Sequence, residues 1–371
     1  MKKIIKTAGA FTAAAALLCS AGCTGDTKWA FKTDKDTVSS GMWIYYTFNA
    51  SYEAYGKLGT AEDGTSVELD DIDFGSEKID GQTATDWIYA RAKKDAKTYL
   101  ALEKLAAEKD IKTDESMSDY LNQNYKQTYD SYNNYYNDLF TKLGVSSDSF
   151  CKANTYPTLV ENELFKKLYG KDGEFEVKDD ELKKYFKENY ISYYYVTVDL
   201  KKEDSDGNKT DLDDETKATY TQNFKKYANM INNGDKTVDD VTAQYKVDFG
   251  TKEAPVTTND TLKSNLSSSE LDTLILETPA KTAVTKTIDD KLYMVYVYDI
   301  NEKAETISSI DTEESKEKTG IDRNTILSSM KSADFEQYIK DACDKLDYER
   351  NDACVHKYDA NRTIGIMKDC M

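Results

Sequence analysis

The apolar pattern of this chain changes period at Ile191 and changes back after Glu302, which restricts the class of fold it can adopt. Before Ile191 the apolar residues recur at helical spacing. "TATDWIYARAKKDAKTYLALEKLAAEKDI" puts Ile88, Ala92, Ala96, Tyr99, Leu102 and Ala106 on one stripe, with Thr83 or Thr85 as the N-cap. "ISYYYVTVDL" then alternates aromatic and β-branched residues with polar ones, the mark of a strand. Helical stretches follow in "TKATYTQNFKKYANMINNG", "TVDDVTAQYKV" and "SSSELDTLILE". A hairpin closes the block in "TAVTKTIDDKLYMVYVYDINEK", turning at Asp289-Asp290. The pattern predicts an α+β protein. A β-α-α-α-β-β unit at 191–302 is inserted between a helical region at 23–190 and a C-terminal helix, with tail, at 303–371.

The helical region divides further. A strand and polar turn precede a helix from about Ser40, and aromatics surround that helix, so it must pack on more than one side. Residues 59–81 are Gly- and Asp-rich and read as a surface excursion. One long helix is expected from about Asp114 to Leu143, stopped by Gly144. Ser146 or Ser147 caps the next, and Pro157 interrupts that helix or opens its second half. "FEVKDDELKKYFKENY" is a last helix before the strand, with Leu182, Tyr185 and Phe186 facing inward.

The first residues carry Lys2, Lys3 and Lys6 ahead of the short apolar run "AGAFTAAAALLCSAGC". This is a secretory signal, too short for a stable transmembrane helix. Ser20-Ala21-Gly22-Cys23 resembles a bacterial lipobox, which implies cleavage after residue 22, lipid on Cys23, and a chain tethered outside the cell membrane, with ordinary signal-peptidase cleavage nearby as the alternative. Formal net charge is −19 in 371 residues, and loss of the leader lysines makes it more negative. So acidic a chain is a poor partner for nucleic acid or for anionic lipid, which leaves the lipid as the membrane contact. Four cysteines remain beyond Cys23: Cys151, Cys343, Cys354 and Cys370, with their pairing open. Cys343, Cys354, His356 and Cys370 lack the close pairs of a structural zinc site, so neither metal nor cofactor is expected. In "KKEDSDGNKTDLDDE", setting Gly207 at the sixth position of a calcium loop puts Lys202 at the first, which rules that reading out.

A signal with lipobox, long helices, an inserted α/β unit and a returning helix together resemble the PrsA/SurA-type extracytoplasmic foldases. The piece that carries most of the likeness is "FEVKDDELKKYFKENY" running straight into a strand, joined by "KLGVSSDSFCKA" before "LVENELFKKLYG". The resemblance implies a parvulin-like inserted domain and, as partners, unfolded or partly folded secreted polypeptides, with a homodimer as an open option. It also places a histidine of the family's first strand on Tyr195 and one of its last strand on Tyr293. Of the family's glycine-rich segment only Asp248 and Gly250 have a counterpart. His356 is the sole histidine and falls outside this unit. The reading that follows is a chaperone with weak or no prolyl isomerase activity. Two others stay open: an active parvulin-type isomerase, and a surface lipoprotein with a structural or ligand-binding role.

Twenty-eight tyrosines against three prolines supply apolar bodies with polar tips. Most fill half-buried faces. Trp43, Tyr46, Trp87, Tyr132 and Tyr136 are the candidates for a groove that holds client chains, because aromatics crowd their helices. No G-x-S-x-G, H-E-x-x-H or P-loop appears, so common hydrolase and nucleotide chemistry has no carrier.

Overall fold

A computed structural model describes residues 27–60, 64–203, 209–266, 269–305, 307 and 323–371. It is α+β, with small antiparallel sheets among many helices. Two compact units emerge: residues up to Leu164 together with those from Ile339 onward, and Phe165–Tyr338. The calcium-loop residues Asp204, Asp206 and Gly207 lie outside the described residues, as does Cys23.

In the first unit, strands β1 (Trp29–Lys32) and β2 (Thr37–Ser39) pair antiparallel, and Glu349–Arg350 adds to the other side of β1. The expected single strand is therefore two. Helix α1 (Ser40–Leu58) starts where the Ser39 hydroxyl accepts from the Met42 backbone N–H at 3.2 Å. Its residues Met42 to Phe48 are all buried, so its first half is covered on every side, while Tyr52, Glu53 and Lys57 in its second half are exposed. The short strands β3 (Lys78–Ile79) and β4 (Gln82–Thr83) lead into α2 (Ala84–Glu108), capped by Thr83. α2 packs against α1 with Ala92, Ala96 and Leu100 fully buried. Residues 59–81 are not merely a surface excursion. Leu69, Ile72, Phe74 and Ile79 fold back into the same core, because four apolar side chains outweigh the polarity of the linker around them.

The expected helix from 114 to 143 is broken. α3 (Glu115–Tyr135) ends at a turn in which Asn137 and Asp138 have φ of 50° and 61°. Short side chains that bond locally tolerate this left-handed backbone. Asn133 Oδ1 accepts from the Phe140 N–H at 2.8 Å and so restarts the chain as α4 (Leu139–Leu143). Gly144, at φ 91°, closes α4 with the conformation only glycine adopts freely. α5 (Ser147–Tyr169) then carries Pro157 inside an unbroken helix.

The second unit begins within α5. α6 (Asp179–Asn189) buries Leu182 and Phe186 and runs directly into β5 (Tyr190–Asp199). A two-stranded ribbon of β6 (Lys201–Glu203) and β7 (Lys209–Asp211) follows, then α7 (Asp214–Asn232) and α8 (Val238–Phe249). β8 (Val256–Leu262), α9 (Glu270–Glu277), β9 (Thr282–Ile288) and β10 (Lys291–Val297) complete a four-stranded antiparallel sheet in the order β8-β5-β10-β9. The strand at Val256–Leu262 is absent from the sequence reading. "VTTNDTL" lacks the apolar alternation of a strand buried on one face, since it lies at the sheet's edge. The unit is also wider than 191–302. α10 (Ile300–Glu305) and α11 (Arg323–Asp344) follow, and the Tyr185 and Tyr190 hydroxyls donate to Ser329 on α11 at 3.1 and 2.8 Å. Phe165 and Phe335 add an edge-to-face contact at 5.3 Å.

Candidate functional site

Strand β5 sorts its side chains by parity. Tyr194 and Val196 point to one face, where Phe224 and Tyr227 of α7 and Val241 and Tyr245 of α8 cover them. Tyr193 and Tyr195 point to the other, where α9 supplies Leu271, Leu274 and Ile275. β10 pairs with β5 so that Tyr293 lies opposite Thr197 and Val295 opposite Tyr195. Tyr195 and Tyr293 are thus diagonal neighbours on one face. Their rings meet edge to face at 5.7 Å. Tyr193 stacks on Tyr195 at 6.3 Å, and Asn259 Nδ2 of β8 donates to the Tyr193 hydroxyl at 3.4 Å. Tyr193 is buried while Tyr195 is half-exposed, so the row of phenols reaches the surface. Beside Tyr293 a cleft of 460 Å³ is walled by charged residues, with Lys201 paired to Asp290 at 2.8 Å and Lys291 to Asp199 at 3.3 Å.

Asp248 does not join this pair. It sits in the last turn of α8, on the opposite side of the sheet, and accepts from the Tyr227 hydroxyl and Gln244 Nε2 at 2.8 Å each. Burial and that carboxylate push the Tyr227 phenol far above its ordinary range, so it serves as a fixed donor. Asp248 orients a core tyrosine, and Tyr195 and Tyr293 stand without a carboxylate from α8.

Three of the five groove candidates in the first unit are core residues. Trp43 is 1% exposed, packs on Phe31 at 5.3 Å and donates its indole N–H to the Tyr358 carbonyl. Tyr46 is buried, and burial first, then the Asp95 charge, drives its phenol well above the ordinary value. Trp87 is buried with its N–H on Asp80 at 3.0 Å. The reason is the same for each: the three side chains lie on the inward faces of α1 and α2, where they fill volume and do not line a surface. Tyr132 and Tyr136 are half-buried. Tyr132 stacks on Phe140 at 5.5 Å, and Tyr136 packs on Tyr132 and Tyr135. The Tyr136 phenol is raised by burial first and then by the phenols of Tyr52, Tyr135 and Tyr132. Sequence reasoning passed over the tyrosines that face solvent, Tyr52, Tyr120 and Tyr135. Within α3, helical phase relative to Tyr129 and Tyr132 is the signal that sets Tyr120 and Tyr135 apart.

A second polar cluster was also unforeseen. Glu103 accepts from the Tyr99 and Tyr156 hydroxyls at 2.5 and 2.6 Å. Asp36 stands near it, its carboxyl raised by burial and then by the Glu103 charge. Cys151, Cys343, Cys354 and Cys370 are all free thiols, and burial raises Cys151 and Cys343, which suits packing over nucleophilic chemistry. His356 is exposed with Nδ1 2.8 Å from the Asp352 carbonyl oxygen. Among the described residues no helix is long and apolar enough to cross a membrane, and no cluster of acids, His or Cys is set to hold a metal. The chain matches no protein-family model and no curated protein.

Proposed function

We propose that this chain is an exported, lipid-anchored chaperone of the PrsA/SurA type, which binds non-native secreted polypeptides and has little or no prolyl isomerase activity. Its second unit is then a parvulin-like domain, and Cys23 carries the anchor. The observation that carries the reading is the edge-to-face contact of Tyr195 and Tyr293 at 5.7 Å on neighbouring strands of a four-stranded antiparallel sheet. These are the two positions where the resemblance implies histidines, and here they are neighbours on one half-open face. Prolyl isomerisation moves no proton; its barrier of about 20 kcal/mol is lowered by desolvating and twisting the imide. Two phenols offer hydroxyl donors and acceptors but no ring nitrogens, so they cannot reproduce an imidazole network. They do offer aromatic surface, which binds chains without strict sequence demands.

Two assays test this. In a protease-coupled assay on a proline-containing peptide, the chain is expected to give little acceleration over the uncatalysed rate. Clear acceleration that disappears in Tyr195→Ala would replace the reading with an active isomerase. In an aggregation assay on a denatured secreted protein, suppression near stoichiometric amounts is expected. Failure to suppress would leave a surface lipoprotein without chaperone work.

A further inference from the structure

α3 is an unusual helix for a folded unit, since none of its 21 residues is buried. Its inner stripe, Tyr125, Tyr129 and Tyr132, rests on the core through Phe140 and Phe150. Its outer stripe leaves Met117, Tyr120 and Tyr135 exposed by 48%, 59% and 80%, and Tyr52 at 42% continues the aromatic surface through Tyr136. At helical spacing Met117, Tyr120 and Tyr135 fall within an arc of roughly 60°. Large side chains this open are uncommon without a partner.

The charge along this helix is mainly negative. Asp114, Glu115, Asp119, Asp130 and Asp138 are all exposed along α3 and its end, against the single Lys126. We propose that this face binds cationic, extended polypeptide segments, with Lys and Arg side chains laid over the tyrosine rings and held by the neighbouring carboxylates. The chain already uses this pairing internally, with Lys32 over Trp29 at 4.6 Å and Arg362 over Tyr358 at 5.1 Å. Among the described residues no cation covers Tyr52, Tyr120 or Tyr135. Tyr120 and Tyr135 are fifteen residues apart, about 22 Å along the helix, which an extended segment of about seven residues spans. A second copy of this acidic chain would bring like charge to the same face, and an anionic ligand would be repelled. The surface deepens the chaperone reading by naming a class of client, and rests on it only for where such segments come from.

The test uses the full mature chain and labelled twelve-residue peptides alternating Ser with Arg, Gln or Glu. The Arg peptide is expected to bind best, and more weakly as salt rises. Tyr120→Ser with Tyr135→Ser should weaken it about fivefold or more, as expected for losing two exposed cation–π contacts. Asp119→Asn with Asp130→Asn should weaken it too, whereas Glu181→Gln with Glu277→Gln on the second unit should not. Equal binding of the Gln peptide, indifference to the tyrosine pair, or an equal loss from the second-unit pair would overturn the proposal. So would a concentration-dependent dimer that dissociates when Tyr135 is replaced by Ser. Aggregation assays on one basic and one acidic client separate the two readings. Suppression of both, unchanged in the tyrosine variant, keeps the chaperone and overturns this face. Suppression of neither, with tyrosine-dependent Arg-peptide binding intact, keeps the face and overturns the chaperone.

Discussion

Tyr195 and Tyr293 touch edge to face at 5.7 Å although their backbones are not directly paired, because the register sets each two residues from the other's partner. A diagonal contact of this kind belongs to the two rings and not to the strand ladder. In a double-mutant cycle with Tyr195→Ala and Tyr293→Ala, urea unfolding should report a coupling of about 0.5–1.5 kcal/mol. A coupling of zero would mean that the rings merely lie side by side.

Trp43 anchors the first unit through Phe31, Tyr89 and the Tyr358 carbonyl. Trp43→Ala should cost about 3–5 kcal/mol, the range for removing a large aromatic from a packed core. Denaturant unfolding followed by circular dichroism measures it. A loss below about 1 kcal/mol would contradict a core role and reopen the groove reading for this residue.

Gly41 lies in the first turn of α1, where an added Cβ would come within 2.8 Å of Ser149 Cβ. Gly41→Ala should therefore lower stability by about 1–3 kcal/mol, although alanine is the better helix former. Gly41→Ala combined with Ser149→Gly should recover part of that loss. Equal melting of the parent and Gly41→Ala proteins would show that the contact relaxes without cost.

Asp36 has a carboxyl raised by burial and then by the charge of Glu103, only partly offset by Lys152 and Lys35. An acid raised in the folded state holds its proton more tightly there than when unfolded. Its ionisation therefore removes stability as pH climbs from the ordinary carboxylate value through the raised one. Asp36→Asn should raise the melting temperature at pH 7, and the gain should close as pH falls below the ordinary carboxylate range. A gain that persists in acid would assign the effect to something other than charge.

What the sequence carried and what it hid follow from the same physics. The stripe from Ile88 to Leu102 was legible because one buried face repeats at helical spacing. The shared face of Tyr195 and Tyr293 was not legible from parity, which sorts residues within one strand; only the register of β5 on β10 sets it. The break at Asn137-Asp138 was hidden because it lies in a run of tyrosine and amide residues that continues a helical pattern on both sides. Trp43, Tyr46 and Trp87 were misplaced because an aromatic on a crowded helix suits a core and a groove equally. Only the elements packed around α1 and α2 decide between them.

The sheet of the second unit ends in two threonine-rich strands, "VTTNDTL" and "TAVTKTI", one of them carrying Lys286 in an ion pair with Glu270 at 2.7 Å. Asn, Asp and Lys on outermost strands keep water on the unpaired amides and discourage another chain from annealing there. Under the proposed chaperone function, these strands would also keep partly folded clients from templating on the sheet's own margins. Threonine keeps the strand geometry, and charge and hydration keep it from spreading.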